Sequence, residues 1–246
     1  MADSIRPGSN PLLPLRAEGI GLHRDGRALL DDISFSLHDD RISVVLGPNG
    51  AGKSLLLRIL CNLVRPDTGR VDWGGRTPRR ASPAIGMVLQ RPVMLRRSVR
   101  ANLTFALARA GVPVRDRRCQ ADRALAAAGL AHLARQPAPR LSGGEAQRVA
   151  ILRAWVQRPR VLVFDEPCAN LDPYSTREIE SLIREIHASG TRIVLTTHDL
   201  GQARRLADEV VFLADGRLHE HAAARDFFNR PATAAAAAFL EGRLLT

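Results

Sequence analysis

The chain has 246 residues, 45% of them apolar, which is ample for a buried core in one large domain or a domain with a subdomain and excludes general disorder. Its formal charge of +11 is spread along the chain instead of gathered in one tail or helix, so charge alone does not mark a nucleic-acid binder. Such a surface can equally meet nucleotide, anionic head groups or an acidic partner. No run approaches the ~18 apolar residues of a spanning helix, so any transport role needs a separate membrane partner. Cys61, Cys119 and Cys168 are odd in number and lack metal-ligand spacing, which fits a reduced, cytosolic setting.

Residues 1–14 are rich in Ser, Gly, Asn and Pro without an apolar segment and read as a flexible N-terminus rather than a signal peptide. Leu15 to Ile20 and Ile33 to Leu37, around the turn His23-Arg24-Asp25-Gly26, predict paired strands. A buried strand is expected at Ile42 to Leu46, then a loop, then a helix over Ser54 to Leu63. Another strand is expected at Ile85 to Leu89, followed by a small helical insertion from Arg97 to about Ala134 interrupted at Gly111-Val112-Pro113. Alternation then resumes: helix over Arg148 to Val156, strand at Val161 to Phe164, helix over Arg177 to Ile186, strand at Ile193 to Thr196. A hairpin of Val210 to Ala214 with Leu218 to Glu220 follows, and an alanine-rich helix from Ala232 to Leu245 docked through Phe239 and Leu240.

The loop after the first buried strand is Gly47-Pro48-Asn49-Gly50-Ala51-Gly52-Lys53-Ser54, a complete G-x-x-x-x-G-K-[ST] phosphate loop in its strand–loop–helix context. Lys53 is the one lysine of the chain; every other member of its 36 Lys and Arg residues is arginine. A compact ammonium reaches β- and γ-phosphates from beneath a tight glycine loop, where arginine's planar fork would crowd. The loop's backbone N–H groups and the helix dipole favour the anion, and Ser54 would offer its hydroxyl to Mg²⁺. ATP or GTP binding follows. The buried strand Val161 to Phe164 ends in Asp165-Glu166, where Asp165 can hold Mg²⁺ through water and Glu166 can orient or deprotonate the attacking water.

Between these lies Leu141-Ser142-Gly143-Gly144-Glu145-Ala146-Gln147-Arg148, and here the chain resembles the ATP-binding cassette (ABC) family of transport ATPases. Gln90, Leu141 to Glu145, Asp165-Glu166, Asn170-Leu171-Asp172 and Thr197-His198-Asp199 fall in the family's order, and with the phosphate loop they cover about residues 15 to 220. The resemblance implies an α/β fold of P-loop NTPase type: a mixed, mainly parallel sheet core with an antiparallel β subdomain, a helical insertion at about 91–157 and a helical tail at about 222–246, in one domain from 15 to 246. It implies that ATP with Mg²⁺ is the cofactor, that Gln90 contacts Mg²⁺ and water, that His198 bonds the γ-phosphate, and that Asp172 connects two sites across a dimer. Ser142 with Glu145 also forms a capping box whose helix start is a second anion site. That site is best explained as taking the γ-phosphate held by another copy, giving a head-to-tail homodimer.

Three positions depart from the family's pattern. Leu55 stands where a second hydroxyl is common, a loss of about 1 kcal/mol if one hydrogen bond goes. Glu145 stands where glutamine is common and adds negative charge near a polyphosphate. The aromatic that stacks on adenine is missing, leaving Arg24 or His23 to do so, or an exposed turn.

About fifty residues separate Gln90 from Leu141, room for a small helical subdomain and no long coiled coil. The resemblance therefore points to the separate ATPase subunit of a bacterial importer on the cytoplasmic face of the inner membrane, peripheral through a permease and served by a periplasmic binding protein. Arg91 to Ser98 would face the permease. This stretch and the tail look like those of oxyanion importers, tungstate first, then phosphate or molybdate. No regulatory β-domain is expected after the tail. The competing reading is a soluble ATPase of the same type acting on nucleic acid, or in regulation, without a permease.

Overall fold

A computed structural model describes residues 12–38, 41–75 and 84–243. The expected flexible N-terminus falls largely outside them, as do the last tail residues, Leu244 and Leu245. The chain divides into two compact units, Met1–Ser82 with Arg192–Thr246, and Pro83–Thr191.

In the first unit, β1 (Leu15–Arg24) and β2 (Arg27–Leu37) form the expected antiparallel pair across Asp25-Gly26, with β4 (Thr68–Trp73) on the other side of β1. Burial alternates over Leu15–Glu18, giving that part of the sheet one covered face, and the alternation is lost at the register shifts beyond Ala17. β3 (Ile42–Leu46) is buried at all five positions and lies between the parallel strands β7 (Arg192–Thr197) and β8 (Glu209–Ala214), with β9 (Arg217–Ala223) antiparallel beyond β8. An unbroken apolar run is what a parallel strand covered on both faces demands.

The expected helix after β3 is shorter than the periodicity suggests: α1 spans Lys53–Leu60, not Ser54 to Leu63. Cys61 caps it, Asn62 takes the left-handed conformation (φ 53°), and the Asn62 and Leu63 N–H groups return to the Ile59 and Arg58 carbonyls, both at 2.8 Å. This is a Schellman stop. The Trp73 indole N–H donates to the Leu60 carbonyl at 3.0 Å, occupying another orphan of the helix end. Burial pushes the Cys61 thiol up to about 12, leaving it inert.

The alanine-rich helix expected over Ala232 to Leu245 is the shorter α8 (Ala234–Leu240), which starts with Thr233 as its cap after α7 (Ala224–Asn229) has ended before Pro231. The largely buried Glu220 carboxylate accepts the Ala232 and Thr233 N–H groups at 2.9 and 3.1 Å and fixes that start. Phe239 docks as expected, its ring 5.1 Å from Phe212. The short helix α6 (Leu200–Leu206), capped by Asp199, and strand β4 carry too few apolar residues to stand out in the sequence.

In the second unit, β5 (Ile85–Val88) runs parallel to β6 (Val161–Phe164). The helical stretch resolves into α2 (Val99–Arg109), capped by Ser98, and α3 (Val114–Ala127), with Gly111-Val112-Pro113 between them as expected. α4 (Gly143–Trp155) and α5 (Pro173–Ala188) start earlier than the apolar periodicity shows, because the caps Ser142 and Asp172 set them.

At the strand starts of the first unit the fully buried Arg192 guanidinium donates to Glu209 (2.7 Å) and to Ser43, and the Ser43 hydroxyl donates in turn to Glu209. Burial alone would raise the Glu209 carboxyl, but hydrogen bonds from His221, Ser43 and Arg192 overcome it and hold the group down at about 2. A depressed carboxylate stabilises the fold above its unfolded value and loses that contribution as pH falls toward the folded one. Glu209→Gln is expected to cost about 3 kcal/mol in urea unfolding at pH 7, a gap that narrows steadily below pH 4. A gap independent of pH would contradict this account.

Candidate functional site

Strand register decides which loops share an edge. In the first unit Leu46 pairs with Thr197 on β7 and Phe212 on β8, so the chain leaves β3 as the phosphate loop beside the point where it leaves β7 as His198. In the second unit Val88 pairs with Phe164, so Leu89-Gln90 and Asp165-Glu166 leave a common edge, with the Asp165 N–H on the Val88 carbonyl at 2.9 Å. Ligands at the carboxyl ends of parallel strands are the rule for such sheets.

The phosphate loop closes on itself. Lys53 is only 5% exposed, and its ammonium donates to the Gly47 and Pro48 carbonyls, each at 2.9 Å. A Cβ at position 47 would stand 2.0 Å from the Leu213 carbonyl oxygen, so the loop can lie against β8 only as glycine. Gly52 precedes α1 without a side-chain cap, and the first turn carries no acid, so the helix start offers backbone N–H groups and a positive dipole end. Ser54 is half-buried in that turn. These features fit a polyphosphate.

In the second unit Asp165 is 3% exposed at the end of β6. Glu166 adopts φ 45°, a left-handed conformation costly for glutamate and of the kind that collects at functional sites. The Gln90 Nε2 donates to Glu166 Oε2 at 3.5 Å, a long contact that brings the two sequence-picked residues together. Asp172 accepts the Tyr174 and Ser175 N–H groups, both at 2.9 Å, and the Ser175 hydroxyl at 2.6 Å. The Ser175 hydroxyl and N–H lower its pKa, keeping it ionised.

At the start of α4 the expected capping box is present: the Ser142 N–H and hydroxyl donate to Glu145 at 2.8 and 2.9 Å, and the Glu145 N–H returns to the Ser142 hydroxyl at 3.4 Å. The extra charge of Glu145 is therefore turned back onto the cap, and the Ser142 N–H is the main cause of its lowered pKa. Gly144 has a role the sequence did not disclose. A Cβ there would sit 2.4 Å from Ser175 Oγ and 2.7 Å from Ser175 Cβ, so this glycine lets α4 approach the start of α5.

Arg24 and His23 stand at the β1–β2 turn. The Arg24 guanidinium donates to the His23 carbonyl at 2.5 Å and pairs with Asp67 at 3.4 Å, and the His23 N–H donates to Asp67 at 2.7 Å. Sequence reasoning missed Gln147, Arg153 and Asn102, which hold the segment after β5 through its backbone. In the sequence they are simply polar residues within helical stretches, and their burial becomes visible only in the fold.

The ABC transporter family profile matches residues 30–169. The chain is 35% identical to phosphate import ATP-binding protein PstB 2 of Natronomonas pharaonis, over 94% of this chain and 87% of that one. It is 36% identical to the tungstate uptake system ATP-binding protein TupC of Peptoclostridium acidaminophilum, over 79% of this chain and 92% of that one. Similarity of the same order reaches ATP-binding proteins named for ferric-ion and methionine import. Among solved structures, cbiO1 of Clostridium perfringens, described as part of the ABC transporter complex cbiONQ, superposes with a TM-score of 0.79 at 29% identity, covering 88% of this chain and 90% of that one. The chain belongs to the ABC transporter family and is one of its ATP-binding, ATP-hydrolysing subunits, with the family's α/β fold.

Two substitutions test the geometry. Gly47→Ala is expected to abolish nucleotide binding, measured by titration of a fluorescent ATP analogue. Gly144→Ala should destabilise by about 1–3 kcal/mol in thermal unfolding, as overpacking does, and Ser175→Gly in the same chain should restore most of the loss. An undiminished loss in the double variant would contradict the contact.

Proposed function

We propose that this chain is the motor subunit of an importer: two copies close head to tail around two ATP molecules and drive a separate permease on the cytoplasmic face of the inner membrane, supplied by a periplasmic binding protein. The observation that carries this reading is the presence of two glycine-bearing helix starts of different make. One, bare of any side-chain cap, follows the phosphate loop at Gly52, and the other is the Ser142-capped start of α4 at Gly143 and Gly144. One ATP needs only the first, and the second suits a γ-phosphate presented by another copy. Among the described residues no helix is long and apolar enough to cross a membrane, which fits a permease carried on another chain.

Glu166 orients or deprotonates the attacking water, held by the Gln90 amide, and His198 donates to the γ-phosphate. Lys53 draws charge from the β- and γ-phosphates, and Asp172, kept ionised by its cap, links the two sites. The family resemblance assigns Mg²⁺ to Ser54, Asp165 and Gln90, whose hydroxyl, carboxylate and amide oxygens are the chemistry a hard cation takes. Mg²⁺ held by them would neutralise phosphate charge. Arg24 or His23 would stack on the base.

For cargo, similarity to the phosphate and tungstate relatives favours an oxyanion, tungstate first. With Glu166→Gln and Mg·ATP the molecular mass should double in light scattering, and a mass that stays monomeric would overturn the dimer. Co-purification with a multi-span membrane protein is expected. Salt-sensitive, ATP-stimulated binding to DNA or RNA, which the +11 charge would support, would instead favour a soluble nucleic-acid ATPase. Loss of the chain should abolish tungstate uptake, and unchanged uptake would contradict the cargo alone.

A further inference from the structure

Residues 89–98 contain no regular element until Ser98, yet their backbone is held at several points by side chains from two helices of the same unit. From α4, the buried Gln147 amide donates to the Leu89 carbonyl at 3.3 Å, immediately before Gln90. Further along α4, the Arg153 guanidinium donates to the Val93 carbonyl at 2.7 Å and reaches Asn102 Oδ1 at 3.5 Å. From α2, the fully buried Asn102 accepts the Leu95 N–H at 2.9 Å and donates to the Leu95 and Ser98 carbonyls at 3.2 and 3.1 Å. The Arg97 carbonyl accepts the Ala138 N–H at 2.9 Å. Burial lowers the pKa of Arg153, and a half-buried cation of this kind is tolerated because carbonyl oxygens face it.

α4 is therefore a rod of 13 residues whose start is the Ser142–Gly143 anion site and whose body grips both sides of Gln90. Gln147 and Arg153 lie about 9 Å apart along its axis at 1.5 Å per residue. Val93, 71% exposed, sits at the outer grip.

We infer that Gln147 and Arg153 are positioning residues that lock the Gln90 segment to α4, so that phosphate engagement at Ser142 displaces Gln90 and the Val93 surface together with the helix. The inference rests on the head-to-tail dimer proposed above. Neither residue touches nucleotide in this arrangement. Their effect is to make two regions of one unit respond as one, in place of a mobile loop between them.

The test uses the full chain carrying Glu166→Gln, with and without Mg·ATP, reading mass by light scattering and amide hydrogen exchange in peptides covering 89–98. The parent should double in mass and change exchange in 89–98. Arg153→Met keeps the apolar stem but removes the donors. It should still double in mass while the ATP-dependent exchange difference in 89–98 falls at least ~5-fold, a factor worth about 1 kcal/mol. A purely structural role would shift exchange equally with and without ATP and leave that difference intact. Arg153→Lys, which can satisfy one carbonyl but not the fork, should give an intermediate response and covers the case in which Arg153→Met fails to fold. With Glu166 retained, both variants should lower kcat for ATP without changing KM. A full-sized exchange difference in either dimeric variant overturns the inference alone, whereas a parent that never doubles in mass overturns the dimer and this inference together.

Discussion

The buried ammonium of Lys53, held by the Gly47 and Pro48 carbonyls, is the contact around which the first unit is arranged. A charge so little exposed persists only where oxygen atoms face it, and here the loop itself supplies them. That loop can turn so tightly only because Gly47 lies against the Leu213 carbonyl, and Leu213 is there because β8 runs in register beside β3. The same central strand sets His198 at the neighbouring exit through Leu46 and Thr197. Sheet pairing, glycine placement and one cation thus meet at a single loop.

The second unit repeats the logic with acids. β5 and β6 pair so that Gln90 and Asp165-Glu166 leave one edge, and the strained Glu166 backbone is held at the end of a strand with no exposed residue. Departures from the family's residues are absorbed locally. Glu145 spends its carboxylate on the Ser142 cap, so its charge is engaged before any polyphosphate arrives. The Ser175 hydroxyl both lowers the Asp172 pKa and abuts Gly144, tying the cap of α5 to the packing of α4 on α5.

Much of this was legible from residue order. β3 and β6 match their expected bounds because parallel strands covered on both faces must be continuous apolar runs, and the phosphate loop, acids and capping box are local patterns. What escaped depends on partners distant in sequence. The end of α1 is set by Asn62 and by Trp73 on another element, and the start of α8, two residues later than expected, by Glu220 from a strand. Gly144 read as part of an anion site because Ser175, which it must clear, lies some thirty residues on. Gln147 and Arg153 bind backbone carbonyls, which every residue owns, so no sequence pattern names them.

The most direct test of the central claim is Lys53→Arg, which conserves charge and matches every other basic residue of the chain. Steady-state ATP hydrolysis should fall by at least ~100-fold, about 2.7 kcal/mol of transition-state stabilisation, while the melting temperature of the chain stays within a few degrees. Near-normal turnover in a folded variant would show that the loop does not need a compact ammonium, and would contradict the account.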